Sequence, residues 1–336
     1  MRHRLKDVAE RAGVSVKTVS NVVNGYQHVR PDTRARVERA IAELNYRPNL
    51  SARNLRKGRT GVIALAGPEL DVPAFAELAR HVVTAAAERG WTVLVDRAGG
   101  GPAPPGRVAA GIGDHLVDGL IVGPLTPTAG HLAGRDDGTP VVLVGGPGGP
   151  GPADHVATDD AAAARAATAH LISLGRRRVA AIGARPTPEV AAARLRLAGY
   201  AAALAAAGIA HDERLVVPAP AWRRADGAAA VRHLLTSGVR PDAVLCLTDT
   251  LALGALRALH EAGLRVPGDV AVAGFDDIED GRFSVPTLTT VAADRERVAR
   301  LAVALLADRI DGDRNAPPRT LTVPCRLEPR ESTLGR

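Results

Sequence analysis

The feature that most constrains this chain is a short stretch near its start, residues 5–24, with the sequence LKDVAERAGVSVKTVSNVVN. Apolar residues recur there at the spacing of one helical face, namely Leu5, Val8, Ala9 and Ala12. Gly13 follows, and glycine readily adopts the positive φ that a tight turn between two helices needs. Ser15 supplies a hydroxyl that can accept a backbone N–H at the start of a second helix. The stretch therefore predicts two short helices joined by a tight turn.

The second predicted helix has two different faces, because successive helical residues are rotated by about 100°. One face carries Thr18, Val19, Val22 and Val23. The other face carries Val16, Lys17, Ser20 and Asn21. Lys17 can reach the edge of a guanine, and Asn21 that of an adenine, in the major groove of DNA. Periodicity alone leaves two interpretations open, a DNA-binding helix-turn-helix and an ordinary amphipathic helical hairpin.

The positive charge of the chain is concentrated in its first sixty residues. Residues 1–60 contain 14 Lys and Arg against 5 Asp and Glu, whereas residues 61–336 contain 29 and 31. All three lysines of the chain, Lys6, Lys17 and Lys57, lie in the first segment. A local cationic excess of this kind is typical of phosphate binding. A charged solubilising tail is the alternative, but residues 5–44 are patterned like a packed domain.

Length and composition limit the class of protein. A chain of 336 residues has room for two or three domains. No apolar run approaches the ~20 residues of a membrane helix, and the first ten residues lack the apolar core of a secretory signal. With only two cysteines, Cys246 and Cys325, the sequence does not indicate a disulfide framework. We therefore expect a cytoplasmic protein without a membrane segment.

Three regions follow from the pattern along the chain. A third helix is predicted from Pro31 to Leu44, which completes a small all-α head over residues 1–45. Residues 46–60 form a basic linker that is long enough for one or two helical turns, and a helix this short is not stable alone in water. Residues 61–336 form a larger core.

The core alternates short apolar strands with alanine-rich helices, which predicts parallel sheets covered on both faces. The strands are predicted at residues 62–66, 92–95, 120–122, 141–144, 179–182, 214–217, 243–247 and 270–273. The helices are predicted at residues 74–89, 160–174, 194–207, 228–235, 251–262 and 295–310. Two successive series of strands indicate two doubly wound α/β lobes. The glycine- and proline-rich residues 145–152 separate the two series as a crossing or a rim loop.

The head resembles the DNA-binding head of the lac/gal repressor family through the order A-x-x-A-G-V-S-x-x-T-V-S-x-V-x-N, which starts at Ala9. Further motifs of the family occur along nearly the whole chain, at residues 73–78, 169–175, 194–200, 274–280, 286–290 and 330–333. The resemblance implies a core similar to periplasmic sugar-binding proteins. It also implies two protomers that present two heads to a pseudo-palindromic operator in double-stranded DNA.

The resemblance assigns roles to residues of the head and linker. We expect base contacts from Val16, Lys17 and Asn21. The residues that match phosphate-facing positions are Thr18, Ser20, Asn24, His28, Thr33, Tyr46 and Asn49. Within the linker, Leu55 matches a leucine that wedges open a base step in the minor groove, and Ala52 matches its small neighbour. A plain basic linker is the alternative interpretation of residues 46–60.

A small-molecule site is expected beyond the carboxyl ends of the core strands, where open α/β sheets bind ligands. The candidate residues near those ends are Phe75, Arg196, Trp222, Thr248, Asp249, Phe275 and Asp276. Aromatic faces with Arg and Asp suit a sugar or nucleoside, and the resemblance adds weight to Arg196, Trp222 and Asp276. The alternatives are a surface anchor for Trp222, a core position for Phe275 and a structural ion pair between Arg196 and Asp276.

Two positions depart from the family pattern. Thr248 stands where the family commonly has Asn, and Gly145 stands where a member has an effector-binding Asp. The loss of an amide and a carboxylate removes partners for hydroxyl groups, so the sugar preference of that member is not carried over.

Catalytic motifs are missing from the sequence. It contains no HExxH, no GxSxG nucleophile elbow and no P-loop, and its histidines lack metal-ligand spacing. We therefore expect no enzyme activity, no cofactor and no metal. The predicted function is a dimeric, effector-regulated transcriptional repressor, and the end of the chain after residues 330–333 leaves no room for the leucine-heptad tail of a tetrameric member. A secreted sugar-binding protein and an α/β enzyme with the same core are the alternatives.

Overall fold

The computed structural model describes residues 3–23, 26–46, 59–97, 116–123, 138–146, 151–185, 191–314 and 316–335. The chain divides into two compact units, Met1–Gly61 and Val62–Arg336. We call the first unit the head and the second unit the core.

The head contains three helices, α1 (Leu5–Ala12), α2 (Val16–Val23) and α3 (Pro31–Glu43). Gly13 ends α1 with a φ of +64°, as the sequence predicts. The Ser15 hydroxyl accepts the backbone N–H of Thr18 at 3.1 Å and so caps α2. The helices enclose a small apolar core that consists of Val8, Ala9, Ala12, Val19, Val22, Val37, Ala40 and Tyr46. The predicted helix-turn-helix geometry is therefore present.

The first lobe of the core is built on a six-stranded parallel sheet. Its first elements are β1 (Val62–Gly67), α4 (Pro73–Ala87), β2 (Thr92–Arg97), β3 (Gly119–Val122), β4 (Val141–Val144) and β5 (Asp154–Thr158). Apolar residues such as Ile63, Leu65 and Ile121 are fully buried between this sheet and its helices.

The second lobe begins with α5 (Asp160–Ser173) and contains a second six-stranded sheet. Its next elements are β6 (Val179–Ala184), α6 (Ala191–Ala206), β7 (Val216–Pro218), α7 (Arg224–Thr236), β8 (Ala243–Cys246), α8 (Asp249–Glu261), β9 (Ala271–Phe275), α9 (Glu279–Arg282) and β10 (Thr289–Ala293). Five neighbouring strands are parallel in the order β10-β9-β8-β6-β7.

The last part of the chain completes both lobes. After β10, α10 (Arg295–Asp311) and β11 (Thr320–Val323) pack in the first lobe, where β11 pairs with β5. The chain then returns to the second lobe as β12 (Cys325–Glu328), which is antiparallel to β10, and α11 (Glu331–Leu334). The chain therefore passes between the lobes three times, at Asp159, Asp294 and Pro324.

This topology corrects three expectations from the sequence. The lobes are interleaved in sequence, since α10 and β11 belong to the first lobe. The described ends of the 145–152 stretch lie between β4 and β5 of one sheet, so that stretch is not the crossing. The strand predicted at 214–217 instead starts as a 3₁₀ turn, Glu213–Leu215, because the Asp212 carboxylate accepts the backbone N–H of Arg214 at 3.0 Å. Strands β5, β10, β11 and β12 were not predicted.

Within the described part of the chain, no helix combines the length and apolar character needed to cross a bilayer. The same described residues bring together no group of three or more His, Cys, Asp or Glu side chains that could hold a metal ion.

Candidate ligand cavity and nucleic-acid interface

A cavity of about 860 Å³ opens between the two lobes of the core. Its wall is formed near the carboxyl ends of parallel strands, where such sheets bind their ligands. Six of the seven side chains predicted at this site line the cavity: Phe75, Arg196, Trp222, Thr248, Phe275 and Asp276. The volume lies within the range of small-molecule sites, so the cavity can hold a ligand the size of a sugar or nucleoside.

Arg196, in α6, is the buried cation at the centre of this wall. Its Nε donates to Asp160 Oδ2 at 3.2 Å, and its Nη1 donates to the carbonyl oxygen of Leu247. The same Nη1 lies 3.7 Å from Asp276 Oδ1. Two carboxylates and one carbonyl thus fix a guanidinium that still lines the cavity, which is the arrangement expected of a pre-positioned hydrogen-bond donor.

Two aromatic rings accompany this guanidinium. The Phe275 ring centroid lies 3.6 Å from Arg196 Cζ, and that of Trp222 lies 5.9 Å away. The Trp222 indole Nε1 donates to the carbonyl oxygen of Gly183 at 2.8 Å, which fixes the ring. Phe275 is buried and also lines the cavity, so it is both a core residue and a residue of the site.

The backbone is strained at this wall. Trp222 has a φ of +56° and Asp276 a φ of +122°, a region that non-glycine residues rarely adopt. Such strain persists only where the surroundings hold it, and it concentrates at ligand sites. Arg295 holds the Asp276 segment, because its Nη2 donates to the Asp276 carbonyl oxygen while its Nη1 pairs with Glu77 Oε2 at 3.2 Å.

The Asp276 carboxylate is poorly solvated. Burial raises its pKa to about 6, and the attraction of Arg196 and Arg295 for the charged form offsets only part of this effect. The side chain keeps 18% of its surface exposed, on the cavity side. The carboxylate can therefore accept a hydrogen bond from a ligand hydroxyl. A bound ligand would shield this carboxylate further from water.

Asp249 does not line the cavity, which corrects the expected direct contact. It lies behind the wall with 0% of its surface exposed, and Thr290 Oγ1 donates to its Oδ1 at 2.6 Å. Its Oδ2 accepts the backbone N–H of Ile278 at 3.0 Å. Burial, aided by the charge of Asp276, raises the pKa of Asp249 to about 7. Asp249 supports the segment behind Asp276, since both of its oxygens are engaged there.

Sequence reasoning missed seven charged residues of the wall: Glu69, Asp71, Arg97, Asp160, Arg185, Arg223 and Arg295. Asp160 and Arg295 each follow a crossing between the lobes, and the sequence does not reveal where the chain crosses. Arg185 directly follows β6, so the rule that ligands bind at strand ends could have found it.

In the head, the outer side of α2 presents Val16 at 46% exposure and an exposed Lys17, while Ser20 and Asn21 are partly exposed. The Thr18 hydroxyl lies 2.9 Å from that of Ser15 and so takes part in the cap. His28 is exposed and Thr33 is half-buried. The remaining predicted contacts Asn24, Asn49, Ala52 and Leu55 lie outside the described residues.

The ring of Tyr46 is buried in the head. Only 8% of its surface is exposed, because its ring packs into the apolar core of the head. A phosphate contact by this residue is therefore limited to its hydroxyl group.

A helix-turn-helix head and a two-lobed core with a cavity between its lobes are the parts of a ligand-responsive DNA-binding regulator. Residues 4–49 match the family model described as bacterial regulatory proteins, lacI family. Residues 168–333 match the model of a periplasmic binding protein-like domain. The chain is 38% identical to the HTH-type transcriptional regulator CelR of Thermobifida fusca, over 98% of both proteins.

Solved structures agree with these matches. A lac repressor dimer bound to operator and the anti-inducer ONPF matches with a TM-score of 0.83 and 31% identity, covering 99% of this chain and 100% of that one. A CelR–cellobiose complex matches with a TM-score of 0.71 and 34% identity, covering 98% of this chain and 100% of that one. The chain belongs to the lacI family of bacterial regulatory proteins. It has the fold that the sequence predicted, a helix-turn-helix head with a periplasmic-binding-protein-like core.

Proposed function

We propose that the protein is a transcriptional repressor that binds a pseudo-palindromic operator as a homodimer and responds to a sugar or nucleoside. The observation that carries this proposal is the match over 99% of the chain to a repressor solved on its operator. The exposed Val16 and Lys17 on the outer side of α2 support it, since such a helix reads base edges in the major groove.

The proposal divides the chain into a DNA-binding head (1–45), a hinge (46–60) and an effector-binding, dimer-forming core (61–336). Val16, Lys17 and Asn21 read bases. The side chains that contact phosphates are Thr18, Ser20, Asn24, His28, Thr33, Tyr46 and Asn49. In the hinge, Leu55, with Ala52 beside it, enters the minor groove and bends the DNA.

The effector occupies the cavity between the lobes. The rings of Phe75, Trp222 and Phe275 give it apolar faces, Arg196 donates to its hydroxyls, and Asp276 accepts from them. The Thr248 side chain also faces the ligand, although its hydroxyl caps α8 by accepting the N–H of Leu251 at 3.2 Å. Ligand binding changes the relation of the lobes and, through the hinges, the affinity for the operator.

The core carries the dimer interface. Phe283 and Val285 are close in sequence and are 79% and 85% exposed, which is unusual for large apolar side chains in a folded domain. A second copy of the chain that covers them removes this surface from water. The protein acts in the cytoplasm, where its operator is, and its function includes no catalytic step, as in relatives named as transcriptional regulators.

A salt series tests the DNA-binding function. The purified protein is titrated onto the DNA upstream of its own gene and onto scrambled DNA, with fluorescence anisotropy as the readout. We expect specific binding that weakens steeply between 50 and 200 mM salt, by roughly a thousandfold or more, because each neutralised phosphate releases close to one counterion. Equal binding to both DNAs, or none at low salt, would contradict the proposed function.

A further inference from the structure

The charged residues in the cavity wall differ in whether an oppositely charged side chain lies beside them. The wall contains nine of them, the acids Glu69, Asp71, Asp160 and Asp276 and the bases Arg97, Arg185, Arg196, Arg223 and Arg295. A ligand that enters the cavity meets these charges at short range, where a charge without a partner acts more strongly than it does in bulk water.

Four of the five arginines are paired with carboxylates. Arg196 is shared by Asp160 and Asp276, and Arg295 pairs with Glu77 at 3.2 Å. Towards the cavity mouth, Arg97 lies 3.3 Å from Glu69, and Arg223 pairs with Asp71. Each of these four guanidiniums therefore has a carboxylate partner, and Arg196 has two.

Arg185 differs from the other four. In the described parts of the chain, no carboxylate lies within salt-bridge distance of its guanidinium. Its one ring contact is with Trp222, whose ring centroid lies 5.7 Å from Arg185 Cζ. The residue is half-buried, and burial lowers its pKa, since a guanidinium with few waters is poorly solvated.

The Asp226 carboxylate acts on Arg185 through its charge, but one of its oxygens already accepts hydrogen bonds from the backbone. The charge of Asp226 favours the protonated form of Arg185, but Asp226 Oδ2 accepts the backbone N–H groups of Ala221 and Arg223, both at 3.0 Å. Asp226 therefore serves the start of α7. Arg185 keeps its five donors in a forked geometry that suits a carboxylate or a phosphate.

The position of Arg185 connects it to the ligand-binding surface. Arg185 and Arg196 lie 5.7 and 5.9 Å from the centroid of the same Trp222 ring. Both arginines also line the same cavity, so a single ligand there can meet both of them. Arg196 is already paired with two carboxylates, whereas Arg185 has no such pair among the described residues.

We propose that the effector is a sugar acid, whose single carboxylate pairs with Arg185 while its hydroxyls meet Arg196 and Asp276. Arg185, which has no carboxylate within salt-bridge distance among the described residues, offers one guanidinium to one carboxylate. A phosphate monoester carries about −1.5 to −2 at neutral pH, which is more charge than this guanidinium balances. The cavity of about 860 Å³ has room for a mono- or disaccharide acid. This inference rests on the proposed function, because it specifies the chemistry of the effector.

Matched ligand pairs test the inference by titration calorimetry with the full chain. The pairs are glucose and glucuronate, galactose and galacturonate, and cellobiose and cellobionate, with glucose 6-phosphate as the phosphate probe. We expect at least one acid to bind about tenfold to a hundredfold more tightly than its neutral partner, as a charge-assisted pair would give.

Variants assign the gain to Arg185. Arg185→Gln is expected to erase the preference for the acid, and Arg185→Lys to recover part of it, because lysine keeps the charge but not the fork. Arg177→Gln is the matched control. Arg177 is an exposed arginine just before β6, at the opposite end of the strand that Arg185 follows, and its loss is expected to leave the preference intact.

Several results would overturn the inference. They are the absence of binding by every acid in the panel, equal or tighter binding of the neutral partners, or a preference that survives in Arg185→Gln. If glucose 6-phosphate bound more tightly than the sugar acids, and this binding required Arg185, the effector would carry a phosphate and not a carboxylate. The operator titration with the unmodified chain separates these failures from failure of the proposed function, because it needs no ligand.

Discussion

Lys17 and Lys6 both carry exposed ammonium groups on the head, but they differ in position and partners. Lys6 lies on α1 and is 3.8 Å from Glu10, whereas Lys17 is on the outer side of α2. We expect Lys17→Ala to weaken binding to the cognate operator by about 1–3 kcal/mol and to relax discrimination at one base pair. Anisotropy titrations against a set of single-base operator variants measure both effects.

Lys6→Ala is the control for this substitution, since it removes the same charge from the other helix. It is expected to lower affinity for cognate and scrambled DNA alike, if it acts at all. An unchanged base preference in Lys17→Ala would refute the base-reading role.

Asp249 makes the stability of the core depend on pH. Its pKa is about 7 in the folded protein and near 3.8 in an unfolded chain, so the folded state binds more protons between these values. Stability is therefore lost as the pH rises from about 4 to 7. We expect the unfolding free energy of the unmodified chain to fall relative to that of Asp249→Asn, by up to about 1.4 kcal/mol per pH unit.

Denaturant unfolding at several pH values between 4.5 and 7 measures this difference. Asp269→Asn is the control, because Arg265 lowers the pKa of Asp269 to about 2 and its titration lies below this window. Parallel pH profiles for the unmodified chain and Asp249→Asn would show that the carboxylate is ionised throughout.

Helices α7 and α8 approach each other closely enough to require glycine. A Cβ at Gly254 would lie 1.9 Å from the carbonyl oxygen of Arg224, and one at Gly227 would lie 2.1 Å from that of Leu251. We expect Gly254→Ala to lower the unfolding free energy by about 1–3 kcal/mol, because the helices must separate. Helix propensity alone predicts the opposite sign, a gain of roughly 1 kcal/mol, so stabilisation in a thermal melt would contradict the close contact.

Sequence reasoning found the elements whose composition is distinctive. Apolar strands such as β1 and β8 were predicted because they are buried on both faces and read as continuous apolar runs. Strands β5 and β12 were missed because they contain Asp154, His155 and Arg326, which a propensity argument assigns to loops. The Asp154 carboxylate is nonetheless buried, since Arg309 and Arg319 neutralise it at 2.8 and 3.0 Å.

The same limit applies to the cavity. The strand-end rule located six side chains of the wall, because it needs only the order of strands along the chain. It could not place Asp160 and Arg295 beside them, because their position depends on where the chain crosses between the lobes. Asp249 was misplaced for a related reason, since it follows β8 but turns behind the wall to meet Thr290.

Association of two chains is the property most open to test in the intact protein. We expect Phe283→Glu to shift the protein from dimer to monomer at micromolar concentration, because the charge must be buried against the partner. Operator affinity should fall with it, since one head binds one half-site. Sedimentation velocity measures the shift. Leu174→Glu, at an exposed leucine elsewhere in the core, is the control and should remain dimeric. A dimeric Phe283→Glu would show that the interface lies elsewhere.

The three passages of the chain between the lobes restrict how this core can be divided. Each lobe depends on segments far apart in sequence, so neither lobe corresponds to a continuous piece of the gene. A fragment that stops before α10 would leave the first sheet without its edge strand β11 and without the helix that covers it. To give this protein the ligand specificity of a relative, one must therefore exchange the whole core or change individual side chains in the cavity wall.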